Sequence, residues 1–240
     1  MGETEHIMLP AKLDLDSRCL SHKFPLEHVE FSVVDLIDNH LLNMNGPYQT
    51  GGWIHPSSIS RCPRCVYYDL MDAPGQITEE PDERKLPEVG SAIHSMVQGW
   101  IADAVPAGAF AAENRMRFAA YRLSFRCDGV FVLKDWLLEI KTISDSAYKS
   151  MQRPRTSDQG QIHCYMYALD IPRTILLYVN RNTGEMKEYK VYFTPAVWQK
   201  VLMTLASVFD HRDKGTKPPR PKSTYECRRC KYRPHCMTDG

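Results

Sequence analysis

The sequence predicts an α/β domain with a tail folded back on it, and three observations predict that arrangement. Its 240 residues suffice for one substantial domain, or for a core with a small appended module. Strand-like segments cluster at residues 115–143 and 173–193, with helix-period segments before, between and after them. A proline-rich basic stretch then leads to three closely spaced cysteines, Cys227, Cys230 and Cys236.

Residues 1–28 are polar and irregular. Over residues 28–44, Phe31, Val34, Leu36, Ile37, Leu41 and Leu42 recur with a helical period. Ser57 and Ser58 can cap a helix over residues 59–71, which puts Cys62 in its opening turns. Residues 72–87, rich in Pro, Glu and Asp, read as an exposed loop. Residues 88–105 bring Val89, Ile93, Val97, Trp100, Ile101 and Ala104 to one side of a long helix, with His94 at the margin of that stripe. Strands are expected over residues 115–120, 122–133 and 136–143, and a helix over 157–169. Residues 173–180 and 185–193 form a hairpin around Asn182-Thr183-Gly184, a further helix covers 195–210, and residues 214–223 are a stiff linker.

Hydrophobic residues make up 43% and charged ones 25%, an ordinary globular composition that excludes wholesale disorder. The net charge of +1 does not announce a nucleic-acid partner, but its distribution is uneven. Residues 211–235 hold nine basic side chains against Asp213 and Glu226, which makes them either a phosphate-facing patch or a solvated tail. No stretch approaches the roughly 18 apolar residues of a membrane span, and residues 1–12 lack the apolar core of a secretory signal. A cytoplasmic protein is expected, and in that reducing compartment eight cysteines are to be tested first as metal ligands.

The segment Leu138-Glu139-Ile140-Lys141-Thr142 carries the most chemistry. Side chains alternate along a strand, so Glu139 and Lys141 share one side while Leu138, Ile140 and Thr142 take the other. Upstream, Arg126-Cys127-Asp128-Gly129-Val130 supplies a second carboxylate. With Lys134-Asp135 closing a hairpin and Leu133 paired to Trp136, Asp128 falls diagonal to Glu139 on the same face. Two carboxylates and an ammonium so placed suit phosphodiester hydrolysis, because hard oxygen ligands hold Mg²⁺ or Mn²⁺ and the cation activates water and offsets charge at phosphorus.

This arrangement resembles the PD-(D/E)-x-K nuclease pattern. The RecB-like branch, which includes RecB and AddB nuclease domains and CRISPR-associated exonucleases, places a histidine on a helix before the strands, and Gly90-Ser91-Ala92-Ile93-His94 is similar to that. It also places a Gln-x-x-x-Tyr helix after the lysine strand, matched by Gln161-Ile162-His163-Cys164-Tyr165. The resemblance implies a restriction-endonuclease-like core, a central mixed sheet flanked by helices. It also implies Asp128, Glu139, Lys141, Gln161 and Tyr165 as catalytic residues, and His94, Asp128, Glu139 and the Ile140 carbonyl as divalent-metal ligands, with Glu113 in support.

Cys227-x2-Cys230-x5-Cys236 is hard to explain as packing, and Cys62 and Cys65 are the candidates for a fourth ligand. Cys62-x2-Cys65 with Cys227-x2-Cys230 is also tetrahedral zinc spacing. Several RecB-like nucleases hold a 4Fe-4S cluster with one early and three late cysteines. Ser58-Ile59-Ser60-Arg61-Cys62-Pro63-Arg64 and Cys230-Lys231-Tyr232 resemble their signatures. That likeness implies Cys62, Cys227, Cys230 and Cys236 as cluster ligands, with Cys65 departing from the pattern. Cys19, Cys127 and Cys164 read as small apolar side chains.

The resulting division is an N-terminal extension over residues 1–56, a nuclease core over 57–212, and a basic, cysteine-bearing segment over 213–240 packed back on the core. The function implied is a metal-dependent DNA exonuclease acting on single-stranded DNA or DNA ends, with recombination, replication or CRISPR-adaptation proteins as partners. The rival reading is a non-catalytic nucleic-acid-binding or zinc-stapled interaction module.

Overall fold

Five strands, β1 (Phe110–Phe118), β2 (Leu123–Phe131), β3 (Trp136–Ile143), β4 (Arg173–Asn180) and β5 (Met186–Tyr192), form one mixed sheet in chain order. β1, β2 and β3 pair antiparallel, β3 and β4 parallel, and β4 and β5 antiparallel. The parallel step requires a crossover. It is made by α4 (Asp145–Ser150) and α5 (Thr156–Leu169). The other helices are α1 (Val33–Asn43), α2 (Pro63–Leu70), α3 (Pro81–Ala104), α6 (Pro195–Asp213) and α7 (Arg233–Thr238). This is the expected α/β architecture, a central mixed sheet flanked by helices.

The computed structural model describes residues 32–43, 49–76, 81–221, 227–228 and 230–238. Cys19, residues 28–31 and 44 of the expected first helix, and Lys222, Glu226 and Arg229 of the basic tail lie outside the described residues. Contacts divide the chain into residues 1–37 and residues 38–240. In the first unit the opening of α1 is described, where Ser32 Oγ accepts the Asp35 N–H. All that follows concerns the second unit.

Alternation along β3 builds two cores. Leu138 and Ile140 pack with Val97 of α3 and Val179 of β4. Leu137 and Ile143 join the larger cluster, which contains Val66 of α2, Ile162 and Met166 of α5, and Leu205 and Val208 of α6. Each such fully buried aliphatic side chain contributes about 1.5–3 kcal/mol relative to exposure. Among the described residues no helix is long and apolar enough to cross a membrane.

Several boundaries differ from the sequence reading, each for a physical reason. α2 starts at Pro63, not at residue 59: proline favours the first helical position and holds the preceding Cys62 extended, at φ −60° and ψ 142°. Ser57 and Ser58 lie instead in a 3-10 turn. Residues 81–87, expected as loop, are the first turns of α3, where Asp82 and Glu83 complement the helix N-terminus. The helix continues through Pro87, and Arg84 donates to the Leu41 and Leu42 carbonyls while Lys85 pairs with Asp38 at 2.6 Å. β1 begins at Phe110 because Phe110 and Ala111 pair with Phe131 and Val130; ladder context overrides the weak strand propensity of alanine.

The β2–β3 hairpin closes two residues earlier on β2 than expected, with Phe131 and not Leu133 opposite Trp136. Asp135 takes φ +51° and the Lys134 N–H donates to the Phe131 carbonyl, which makes the turn longer. The observed register puts Gly129 opposite Leu138, so by extension Asp128 lies across from Glu139 and not diagonal to it.

The C-terminal segment is anchored on α2. Asp69 is fully buried, and it accepts the Tyr232 hydroxyl at 2.6 Å, the Lys231 ammonium at 2.8 Å and the Ser58 hydroxyl at 2.5 Å. The Gln76 N–H donates to the Lys231 carbonyl at 2.7 Å, and His235 Nε2 lies 2.7 Å from the Pro74 carbonyl.

Candidate active site

Glu139 and Lys141 leave β3 on the side facing α5. Glu139 Oε1 accepts from Lys141 Nζ at 2.7 Å and from Gln161 Nε2 at 2.7 Å, and Gln161 Oε1 accepts from Lys141 Nζ at 2.8 Å. An ammonium only donates, so the Gln161 carbonyl must face Lys141 and its amide nitrogen must face Glu139. That nitrogen also donates to the Tyr165 hydroxyl at 2.6 Å, one helical turn on. Tyr165 is held by stacking on Phe125, with ring centroids 4.6 Å apart.

Asp128 closes the site from β2. Its Oδ2 accepts the Ile140 N–H at 2.6 Å and its Oδ1 lies 3.1 Å from His94 Nδ1. Ile140 thus touches Asp128 through its amide. His94 reaches this point because Gly90, one turn earlier on α3, sits close to β3: a Cβ there would lie 3.3 Å from Thr142 Oγ1.

Behind Asp128, Gln98 Nε2 donates to the Asp128 carbonyl at 2.9 Å and to Glu113 Oε1 at 2.8 Å. Glu113 holds a left-handed φ of +57° and pairs with Arg126 at 2.5 Å. Sequence reasoning missed Gln98, although its position four residues after His94 puts both on one helix face.

The charges are tightly linked. Burial pushes the Glu139 carboxyl up to about 7 against the pull of Lys141, and Asp128 pushes the same way as burial. Burial presses His94 and Lys141 down, but the carboxylates outweigh it and raise both, chiefly Asp128 at His94 and Glu139 at Lys141. Glu139 Oε2 is buried and has no hydrogen-bond partner among the described residues. Such an orphan acceptor ordinarily costs about 1–3 kcal/mol.

Asp128, Glu139, Gln161 and Tyr165 line a cleft of about 440 Å³ together with His94. His55, Pro56 and Ser57 contribute on one side, and Leu86, Pro87, Gly90 and Ser91 of α3 on another. A second cavity of about 420 Å³ shares Ser57 and Gln161 with it and is lined by Lys141, Asp158, Arg61, Cys62, Cys65, Cys227 and Cys230. Cys62, Cys65, Cys227, Cys230 and Cys236 all line a third, of about 250 Å³. Cys65 is buried and exchanges a hydrogen bond with Cys230, which raises the Cys65 thiol strongly and lowers Cys230 to about 6. Among the described residues no group of three or more His, Cys, Asp or Glu side chains is drawn together closely enough to hold a metal ion. Cys127 and Cys164 are buried, and burial pushes both thiols up, Cys127 to about 12.

No family model matches the chain. Over 183 residues, 73% of this chain and 87% of the relative, it is 22% identical to the CRISPR-associated exonuclease Cas4 of Francisella tularensis subsp. novicida. The crystal structure of SSO0001 superposes with a TM-score of 0.52 at 15% identity, over 84% of this chain and 94% of that one. LHK-Exo, an alkaline exonuclease from Laribacter hongkongensis, superposes in its complex with dAMP at a TM-score of 0.51 and 9% identity, over 76% and 93%. The two superpositions show the fold alone: the chain shares its overall fold with those two structures.

Proposed function

We propose that the protein is a RecB-like, PD-(D/E)-x-K DNA exonuclease that depends on a divalent metal. The observation that carries this reading is that Asp128 and Glu139, the latter bonded to Lys141, line one cleft in which Glu139 Oε2 is buried with no hydrogen-bond partner among the described residues. An unpaired oxygen beside a second carboxylate fits a hard cation, and His94, Asp128, Glu139 and the Ile140 carbonyl would hold Mg²⁺ or Mn²⁺. When bound, the cation supplies an acidified water and charge neutralisation at phosphorus. Lys141, fixed between Glu139 and Gln161, orients that water and carries its proton balance, while Gln161 and Tyr165 contact the DNA backbone. The names of the 22%-identical relative and of LHK-Exo, both exonucleases, support the same reading.

In this reading Cys62, Cys227, Cys230 and Cys236 hold a structural 4Fe-4S cluster. The donor chemistry fits, since every candidate is a cysteine lining one cavity. Cys65 lines the same cavity, so anaerobic purification followed by iron, sulfide and zinc analysis separates the cluster from a zinc site. DNA is the substrate and single-stranded ends its preferred form. The relative's name makes a CRISPR-associated partner one candidate.

The test is degradation of single-stranded DNA, labelled at either end, with Mg²⁺ or Mn²⁺. Glu139→Gln and Lys141→Ala should each slow it by at least about 10²-fold. Cleavage that survives both substitutions removes the assignment; binding without cleavage by the unaltered chain favours the non-catalytic module.

A further inference from the structure

A fourth groove opens beside the catalytic cleft. It measures about 460 Å³ and shares His55, Ser124, Phe125 and Arg126 with the cleft, so the two are continuous. Its other charged lining residues are Arg115 and Arg117 of β1, and among the described residues no carboxylate lines it. The antiparallel register places Arg115 directly opposite Arg126 and Arg117 opposite Ser124, so both pairs share one face. Arg126 is only two residues from Asp128, about 7 Å along the strand.

Two features separate this row from an ordinary solvated face. Arg117 is held over the Trp53 ring at 5.0 Å, and Arg122 lies over the same ring at 4.7 Å while donating to the Gly52 carbonyl. Stacking of this kind fixes a guanidinium without neutralising it. The segment that carries Trp53 and His55 is itself fixed, because Ile54 exchanges two backbone hydrogen bonds with the start of β2. Arg126 is already paired with Glu113, so the field of this groove rests on Arg115 and the stacked Arg117; beside a cleft floored by acids, these two cations draw a polyanion toward the carboxylates.

We propose that Arg115 and Arg117 bind the phosphates of a single DNA strand as it enters or leaves the catalytic cleft. The choice of one strand follows from recess: Asp128 and Glu139 are only 7% and 4% exposed. A cleft of about 440 Å³ has no room for a duplex, whose major groove alone is about 12 Å wide. The proposal rests on the nuclease reading for its destination, but not for its measurement.

Binding of a fluorescein-labelled dT oligonucleotide to the full chain is read by anisotropy without added divalent metal, across a salt series. Arg115→Ala/Arg117→Ala should weaken binding several-fold and lower the slope of log K against log salt by about 0.7 for each lost phosphate contact. Arg115→Lys/Arg117→Lys should recover most of both, and Lys200→Ala, an exposed charge on α6, should change neither. Unchanged affinity and slope in the double alanine variant overturn the proposal. So does a loss that lysine fails to rescue, or competition by duplex DNA as effective as by single strand. If the arginine dependence appears but no cleavage is ever seen, the groove stands and the nuclease reading falls. Normal cleavage with arginine-independent binding gives the reverse.

Discussion

Replacing Asp69 tests how the C-terminal segment is held. The carboxylate accepts three hydrogen bonds, from Tyr232 and Lys231 at one oxygen and Ser58 at the other. In Asp69→Asn the amide nitrogen can turn toward Ser58 Oγ, because that hydroxyl can donate to the His55 carbonyl at 2.7 Å instead and accept in return. The geometry survives and the charge does not. Charge-assisted bonds are about twice as strong as neutral ones, so the loss is about 1–2 kcal/mol. Asp69→Ala removes all three acceptor contacts from a fully buried position, at about 3–5 kcal/mol. In a chain of this size each kcal/mol lowers Tm by roughly 2–4 °C. Tm and hydrogen exchange of the amides at residues 230–238 are the two readouts, with Tyr232→Phe as partner mutation. Tyr232→Phe should cost about 1.5–3 kcal/mol in the native background and much less in Asp69→Ala, because the bond it removes is already gone. Additive effects, or tail amides equally protected in all variants, would refute the idea that this carboxylate anchors the tail.

Three further outcomes follow from buried contacts. His163 Nε2 accepts the Thr194 N–H at 3.0 Å while Nδ1 faces the Gln159 carbonyl at 2.7 Å, and burial lowers the ring's affinity for a proton. Its stabilising contribution is complete above the unfolded value of about 6.5 and declines as pH falls through the lower folded value. His163→Gln should therefore flatten the drop in urea midpoint between about pH 7 and pH 5; an unchanged drop excludes this residue as its source. A Cβ at Gly160 would lie 2.3 Å from Ser60 Oγ, so Gly160→Ala should destabilise the native chain. In a Ser60→Ala background it should instead stabilise by up to about 1 kcal/mol through helix propensity, as thermal melts would show. At Gly129 the obstructing atom is the Phe110 ring, 2.3 Å away and packed on Phe131, so Gly129→Ala should cost about 1–3 kcal/mol, and Phe110→Leu should relieve part of that loss in the same melts.

Features set by local spacing were legible in the sequence. Alternation across Leu138-Glu139-Ile140-Lys141 divides the two cores, and the Asn182-Thr183-Gly184 turn joins β4 to β5 with Gly184 at φ +80°. Features set by distant partners were not. The early start of β1 depends on its pairing with Phe131 and Val130, and the entry of α3 depends on contacts of Arg84 and Lys85 with residues some forty positions earlier. The hairpin register shifted by a left-handed Asp135, which no alternation rule anticipates. Gln98 shares a helix face with His94, but its target is a backbone carbonyl that no spacing identifies, and Asp69 acts through Tyr232, 163 positions away, which leaves no periodic trace.

The segment 57–62 links these parts physically. Ser57 lines both the catalytic cleft and the cavity beneath the cysteines, and Gln161 is common to the same two spaces. Ser60 Oγ donates to the Ser157 carbonyl at 3.1 Å, and Ile59 and Ser60 press against Gly160, the residue before Gln161. A change in how the tail sits on α2 therefore reaches the amide that fixes Lys141 and Glu139 before it reaches Asp128, which is held separately by Ile140, His94 and Gln98. Because packed contacts shift between discrete arrangements and do not bend smoothly, the tail constrains one half of the acid pair and leaves the other to α3. Loosening the tail at Asp69 should accordingly mimic a weak Gln161 defect in DNA cleavage, and a loss equal to that of an Asp128 substitution would contradict this division of the site.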